Sequence, residues 1–180
     1  MSSKSRFSRA KVLFPLAVAL LAGCVQFMDR PYFTVEESGL NWISIRYYNY
    51  NRKPVQKLNM RLDGNGVGYL RQGTSSLVSN AFAADTKESS WRDMNETRIV
   101  MEREDVIPLF QMLVDNGLFL ERHSKGESAN TNESIFVTAN IQNRTCGSGN
   151  DDVFESDPEL AENLKSIIMM FYHPRPKNRR

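Results

Sequence analysis

Apolar and polar residues alternate along several stretches of the chain, a pattern typical of strands with one buried face. Alternation, or a high content of aromatic and β-branched residues, marks the stretches 41–50, 55–62, 67–72, 97–101 and 134–142. The alternation is clearest in the last of these, where Ile135, Val137, Ala139 and Ile141 would share one face. The pattern therefore predicts a sheet of about five strands.

The sequence Asp63-Gly64-Asn65-Gly66 separates the second and third of these stretches. Glycine and asparagine accept the positive φ angles that tight hairpin turns require, so a β-hairpin is expected here. Asp63 and Asn65 would also fit the first two ligands of a calcium loop, but Thr74 stands where the closing acidic residue should be. The turn is therefore the preferred interpretation.

Two other stretches repeat their apolar residues every three or four positions, which predicts amphipathic helices. The first begins near Glu104 and ends at Gly117, because glycine favours a left-handed cap. The second begins at Asp157-Pro158 and stops before Pro174. The order of elements predicts an α+β fold with a mostly antiparallel sheet and two helices packed on one face.

The N-terminus differs in character from the rest of the chain. Four basic residues and no acid precede Val12, an apolar run reaches Leu20, and Leu21-Ala22-Gly23-Cys24 follows. A basic region, an apolar core and small residues in this order are typical of an export signal. The segment resembles the start of a bacterial lipoprotein precursor, with the last four residues as its lipobox.

The resemblance implies that a peptidase cuts after Gly23 and that Cys24 carries the lipid, with acyl chains such as palmitate. The expected layout is a signal peptide at 1–23, a lipidated tether at 24–40, a single α+β domain at 41–172 and a basic tail at 173–180. Val25 follows the cysteine where inner-membrane lipoproteins carry aspartate, which favours the outer membrane, facing the periplasm, over the inner membrane.

Two other interpretations of this segment compete with the lipoprotein interpretation. A retained transmembrane helix is disfavoured because such a helix needs about 20 apolar residues, whereas the run at 12–23 is much shorter and contains Pro15. An ordinary secretory signal with a chance cysteine remains open.

Removal of residues 1–23 changes the charge of the chain. They hold four of its 23 basic residues and none of its 21 acidic ones, so the formal net charge falls from +2 to −2. Four of the remaining positive charges lie in the tail, at Arg175, Lys177, Arg179 and Arg180. The tail is either a solvated terminus or a contact for anionic lipid, lipopolysaccharide or an acidic partner.

The segment 73–96 is long and polar, and loops of such length usually either bind something or lack structure. Its apolar residues would either pin it to the core or present a contact surface to an envelope protein: Leu77, Val78, Phe82 and Trp91. It is the preferred candidate for recognition of a partner.

No motif in the sequence predicts an enzyme, a cofactor or a metal. His123 and His173 have no cysteine, histidine or aspartate at metal-ligand spacing. Cys146 is the one cysteine besides Cys24, and its glycine-rich surroundings predict an exposed turn. The expected function is therefore a non-enzymatic role, either structural or in binding an envelope protein, and an exported chain is not expected to meet nucleic acid.

A glycan-binding module is the alternative function. Its basis is a cluster of aromatic residues that could present their rings to sugars: Trp42, Tyr47, Tyr48 and Tyr50.

Overall fold

The computed structural model describes residues 33–75, 91–120, 132–147 and 152–173. The strands in these ranges are β1 (Trp42–Asn49), β2 (Gln56–Asp63), β3 (Val67–Ser75), β4 (Trp91–Val100), β5 (Glu133–Ile141) and β6 (Arg144–Cys146). The helices are α1 (Arg103–Asp115), α2 (Val153–Ser156) and α3 (Pro158–Phe171).

The strands form one antiparallel sheet in the order β4-β3-β2-β1-β5-β6. The prediction of an α+β fold with an antiparallel sheet is confirmed. Two short elements, β6 and α2, were not predicted. The turn before β6 needs positive φ at Gln142 (53°) and Asn143 (61°), and the three residues of β6 are too few to show alternation.

Paired residues of antiparallel strands share a face of the sheet. Ile45 lies opposite Met60 on β2 and Val137 on β5, and all three are buried. The helices cover this face and add to the same core Val106, Phe110, Leu113, Leu160, Leu164 and Ile168. The predicted placement of the helices on one face is therefore confirmed for the described helices.

The residues that were predicted to form the β2–β3 turn and the helix ends do so in the structure. Gly66 donates its amide to the carbonyl of Asp63 at 3.0 Å, which closes the predicted hairpin. Gly117 ends α1 with a φ of 86°. The Asp157 carboxylate accepts the Leu160 amide at 3.1 Å as the N-cap of α3. α1 starts at Arg103, one residue before the expected start near Glu104, and Pro108 lies in its second turn.

Residues 33–40 pack against the domain. Val35 is buried in the core, and its amide donates to Gln111 Oε1 at 2.8 Å. The Phe33 ring meets the Phe119 ring edge-on, with 5.4 Å between centroids. Phe33 and Val35, which were expected in the tether, therefore pack against the domain by their side chains. The lipidated tether at 24–40 stays a prediction.

The predicted loop at 73–96 is also shorter than expected. Its first three residues belong to β3, and Trp91 is the first residue of β4. The start of β4 could not be predicted from the sequence, because a bulge near Asp93, at a φ of 52°, interrupts the alternation of apolar and polar residues.

Candidate binding face of the sheet

The sheet face opposite the helices carries a row of cations on β1 to β4. The register places Arg61, Tyr69 and Arg98 side by side across β2, β3 and β4. We call this side of the sheet the basic face, and its cations are Arg46, Lys57, Arg61, Arg71 and Arg98. They come from four separate strands, so the face exists only when the sheet has formed.

Aromatic rings support most of these cations. The guanidinium carbon of Arg61 lies 4.5 Å from the centre of the Trp42 ring, and that of Arg71 lies 4.8 Å from the Tyr69 ring. Such distances are within the range of favourable cation–π contact, which stabilises a pair by about 0.5–1 kcal/mol at exposed sites. The rings therefore help to hold the guanidinium groups in place.

The exposed and buried parts of the face differ. Arg61 and Arg98 are exposed, and Trp42 and Tyr69 beside them are half-buried. At the other end of the strands Lys57 is almost completely buried, with 1% of its surface exposed. The accessible part of the face therefore lies near the β2–β3 hairpin.

Lys57 lies between aromatic rings. Its Nζ is 4.2 Å from the centre of the Trp91 ring and 5.8 Å from the centre of the Tyr48 ring. Gly73 faces Lys57 in the register, and a Cβ there would come within 3.2 Å of Trp91 Cε3. Glycine at this position therefore leaves room for the indole beside the ammonium group.

Burial lowers the pKa of Lys57 from 10.5 to about 7, and the nearby positive charge of Arg46 adds to this effect. Desolvation disfavours the charged form of a lysine. Lys57 therefore titrates close to neutral pH, unlike an exposed lysine.

Acidic residues are scarce on the basic face of the described strands. Glu96 is paired with Arg71, with 2.7 Å between Oε2 and Nε. Asp63 is engaged in its own turn, where its Oδ1 accepts the amides of Asn65 and Val67 at 3.0 and 3.1 Å. The helical layer is the acidic side, with Glu104, Asp105, Glu159 and Glu162 at or near the starts of α1 and α3. The domain is thus polarised, with a basic sheet face and an acidic helical side.

The aromatic residues proposed to meet sugars do not form one surface. Tyr47 points into the core, where its hydroxyl donates to Glu133 Oε1 at 2.6 Å, and burial together with Glu133 raises its pKa. Tyr48 is buried on the basic face, and burial raises the pKa of Tyr50. Trp42 is half-buried, but Arg61 occupies one face of its ring.

Several other candidate residues lie outside the described residues, so their roles stay predictions: Cys24, Leu77, Val78, Phe82, Arg175, Lys177, Arg179 and Arg180. Trp91 is described, and it lies in β4 with its ring next to Lys57 and not in a loop. Cys146 is also described, as a half-buried residue of β6 that packs against the core. The expectation of an exposed turn at this cysteine was wrong.

Sequence reasoning assigned the polar positions of the strands to a solvated face and did not consider them a site. The sequence nevertheless contains one indication of this surface. The polar positions of 57–61 are Lys57, Asn59 and Arg61, and the next strand adds Arg71, without an acid among them. A solvated face of an acidic domain should carry both signs of charge, so this bias indicates a binding surface.

In the described part of the chain, no group of three or more His, Cys, Asp and Glu side chains is placed to hold a metal ion. None of the helices in the described ranges is both long and apolar enough to span a bilayer. No protein-family model matches the sequence. A search of curated proteins finds no match either.

Proposed function

We propose that this chain is a lipid-anchored envelope lipoprotein without enzymatic activity, whose domain binds an acidic surface of another envelope protein through the basic face. The observation that carries this proposal is the row formed by Arg61, Tyr69 and Arg98, in which Arg61 also lies over the Trp42 ring. Neither Arg61 nor Arg98 has a carboxylate partner among the described residues. Both are therefore available to an incoming anion.

The geometry favours a protein over a glycan as the partner. Sugars stack on open ring faces, whereas Arg61 and Arg71 each lie over the nearest ring of this surface. Tryptophan, tyrosine and arginine dominate the binding energy of protein interfaces, especially where they cluster. Arg61, Arg98, Trp42 and Tyr69 bring these three residue types together near the β2–β3 hairpin.

The charge layout would also orient the encounter. With acids at or near the starts of α1 and α3 and cations on the sheet, an acidic partner is attracted to one side and repelled from the other. Such steering raises the association rate and weakens as the salt concentration rises.

The lipid anchor would keep the domain near the membrane. Phe33 already belongs to the domain, so nine residues lead from Cys24 to the start of the folded part. Nine residues span at most about 30 Å when fully extended. The partner is therefore expected among proteins that are in or close to the same membrane.

Lipidation of Cys24 can be tested directly. Cells grown with a clickable palmitate should label the wild-type protein, and Cys24→Ala should abolish the label, because its thiol carries the lipid. In-gel fluorescence measures the label. Labelling that persists in Cys24→Ala, while Cys146→Ala lowers it, would contradict the lipoprotein assignment.

The binding role can be tested with a photo-crosslinking amino acid at Ser44, a half-buried position next to Arg61 in the register. In the lipidated protein in its native cells, Arg61→Glu should lower the yield of the crosslinked partner by about tenfold, because a hot-spot arginine contributes more than about 1 kcal/mol. Mass spectrometry identifies the partner and quantifies the yield.

Arg144→Glu is the matched control for this experiment. Arg144 is also exposed and also lies over a ring, 4.2 Å from the centre of Phe33, but it belongs to the opposite side of the sheet. It should leave the yield unchanged. Equal loss in both variants, or adducts that contain only lipid or glycan, would refute binding of a protein by the basic face.

A further inference from the structure

We propose that the outer edge of β4 pairs with β4 of a second copy of the chain, about a two-fold axis that passes through Thr97. The proposal rests on the sheet edge and does not require the partner-binding role of the basic face.

The edges of the sheet are unequal. β4 forms one edge with ten residues, whereas β6 forms the other with only three. Within the ranges that the structure describes, no strand pairs with the outer side of β4. A long edge strand with open backbone groups is a template for pairing with another chain.

The hydrogen-bond pattern of β4 limits how two copies can pair. Met101 donates its amide to the Gly66 carbonyl at 2.8 Å, on the β3 side. Alternate residues of a strand direct their backbone groups to the same neighbour. Thr97 therefore faces β3, while Glu96 and Arg98 present N–H and C=O groups to the open edge. A second copy must match these outward residues with its own outward residues.

Several registers match outward residues with outward residues, and the charges of the side chains favour one of them. A two-fold axis at Thr97 sets Glu96 opposite Arg98 of the second copy, and the symmetry repeats the pair. Shifting the axis by one residue sets either two Glu96 side chains or two Arg98 side chains against each other. Opposite charges stabilise directly paired positions and like charges destabilise them. Glu96 and Arg98 thus disfavour the registers shifted by one residue and favour the register centred on Thr97.

The apolar residues of the edge agree with the same register. Val100 is 70% exposed and Met94 is 41% exposed, which is unusual for such side chains on a strand. With the axis at Thr97, Val100 falls opposite Met94 of the second copy. The bulge at Asp93 adjoins Met94 and would end the regular pairing there.

The paired assembly has a consequence for the surface. Opposed residues share a face, so the two basic faces would lie on the same side of one continuous sheet. Two anchored copies would then present a single extended surface, in which Arg98 of each copy pairs with Glu96 of the other and Arg61 of each copy stays open to an anion.

A cysteine placed on the axis tests the geometry. In the full chain with Cys24→Ser and Cys146→Ser, Thr97→Cys should form an intermolecular disulfide under mild oxidation, because directly opposed residues lie within disulfide reach. Asn95→Cys is the matched control, since this position faces Ile99 of the second copy and lies roughly 13 Å from its own counterpart along the strand. Non-reducing gels measure the product. Equal crosslinking of both variants, or none at Thr97→Cys, would overturn the register.

Charge exchange tests the selection of that register. Sedimentation equilibrium of the same full chain should show dimers, and Glu96→Arg or Arg98→Glu alone should raise the dissociation constant roughly tenfold, because each creates two like-charged pairs. The double variant Glu96→Arg/Arg98→Glu restores opposite charges and should restore dimerisation. It also lacks the Arg71–Glu96 ion pair, so recovery cannot come from that contact. A monomer at all concentrations up to millimolar, or no recovery in the double variant, would refute the proposal.

Discussion

Replacing Lys57 with methionine should remove most of the pH dependence of stability between about pH 7 and 9.5. Burial lowers the pKa of Lys57 from 10.5 to about 7 in the folded protein. Between these two values the unfolded chain binds a proton that the folded chain has released. The free energy of unfolding of the wild type therefore rises with pH across this window, by up to about 1.4 kcal/mol per pH unit.

The window is chosen to exclude the ionisation of the buried tyrosines. Burial raises the pKa of Tyr47 and of Tyr50, so both contribute stability that is present at low pH and is lost above about pH 10, where the unfolded chain ionises. Below this limit, urea unfolding of the wild type should show a gain of roughly 3 kcal/mol from the lysine. The methionine variant should show no such gain.

Lys57→Arg provides the control for charge. A guanidinium group keeps its proton throughout this range, so the site would have to bury a permanent cation. This variant should be less stable than the wild type, and the difference should grow with pH. A wild type whose stability stays constant from about pH 7 to 9.5 would show that the Trp91 and Tyr48 rings keep the ammonium charged in spite of its burial.

The parts of the fold that were predictable have local causes. The alternation of Ile135, Val137 and Ala139 placed β5 because each buried side chain meets the core directly. The caps at Asp157 and Gly117 depend on the residue itself and on neighbours within one turn. Each of these patterns lies within a short stretch of sequence, so the strand or helix end can be predicted without knowledge of the rest of the fold.

The parts that were not predictable depend on contacts between distant residues. Val35 is held by Gln111, which lies on α1, and no short-range pattern marks such an anchor. β6 is too short for periodicity, and its pairing with β5 depends on a turn of two residues at positive φ. In both cases the stabilising partner lies outside the window in which periodicity can be detected.

The candidate site belongs to this second group. Arg61, Tyr69 and Arg98 become neighbours only through the register of β2, β3 and β4. The excess of basic residues at polar strand positions was visible in the sequence, but their convergence on one face needed the strand order.

Replacing Glu133 with alanine should destabilise the domain by about 1–4 kcal/mol, because a buried hydroxyl loses its acceptor and a half-buried ammonium loses its ion pair. Its Oε1 accepts the hydroxyl of Tyr47 at 2.6 Å, and its Oε2 accepts the ammonium of Lys165 at 2.5 Å. These contacts tie α3 to β1 and β5. The variant would leave the Tyr47 hydroxyl, on a side chain that is 1% exposed, without this acceptor.

Glu162→Ala is the matched control, because Glu162 also approaches Lys165, at 3.7 Å, but is far more exposed than Glu133. An exposed ion pair contributes about 0–1 kcal/mol, so this variant should unfold close to the wild type in a denaturant titration. Adding Tyr47→Phe to Glu133→Ala removes the orphaned hydroxyl and should recover roughly 1–3 kcal/mol. If Glu133→Ala costs no more than Glu162→Ala, the network does not hold α3 on the sheet, and apolar packing alone secures the helix.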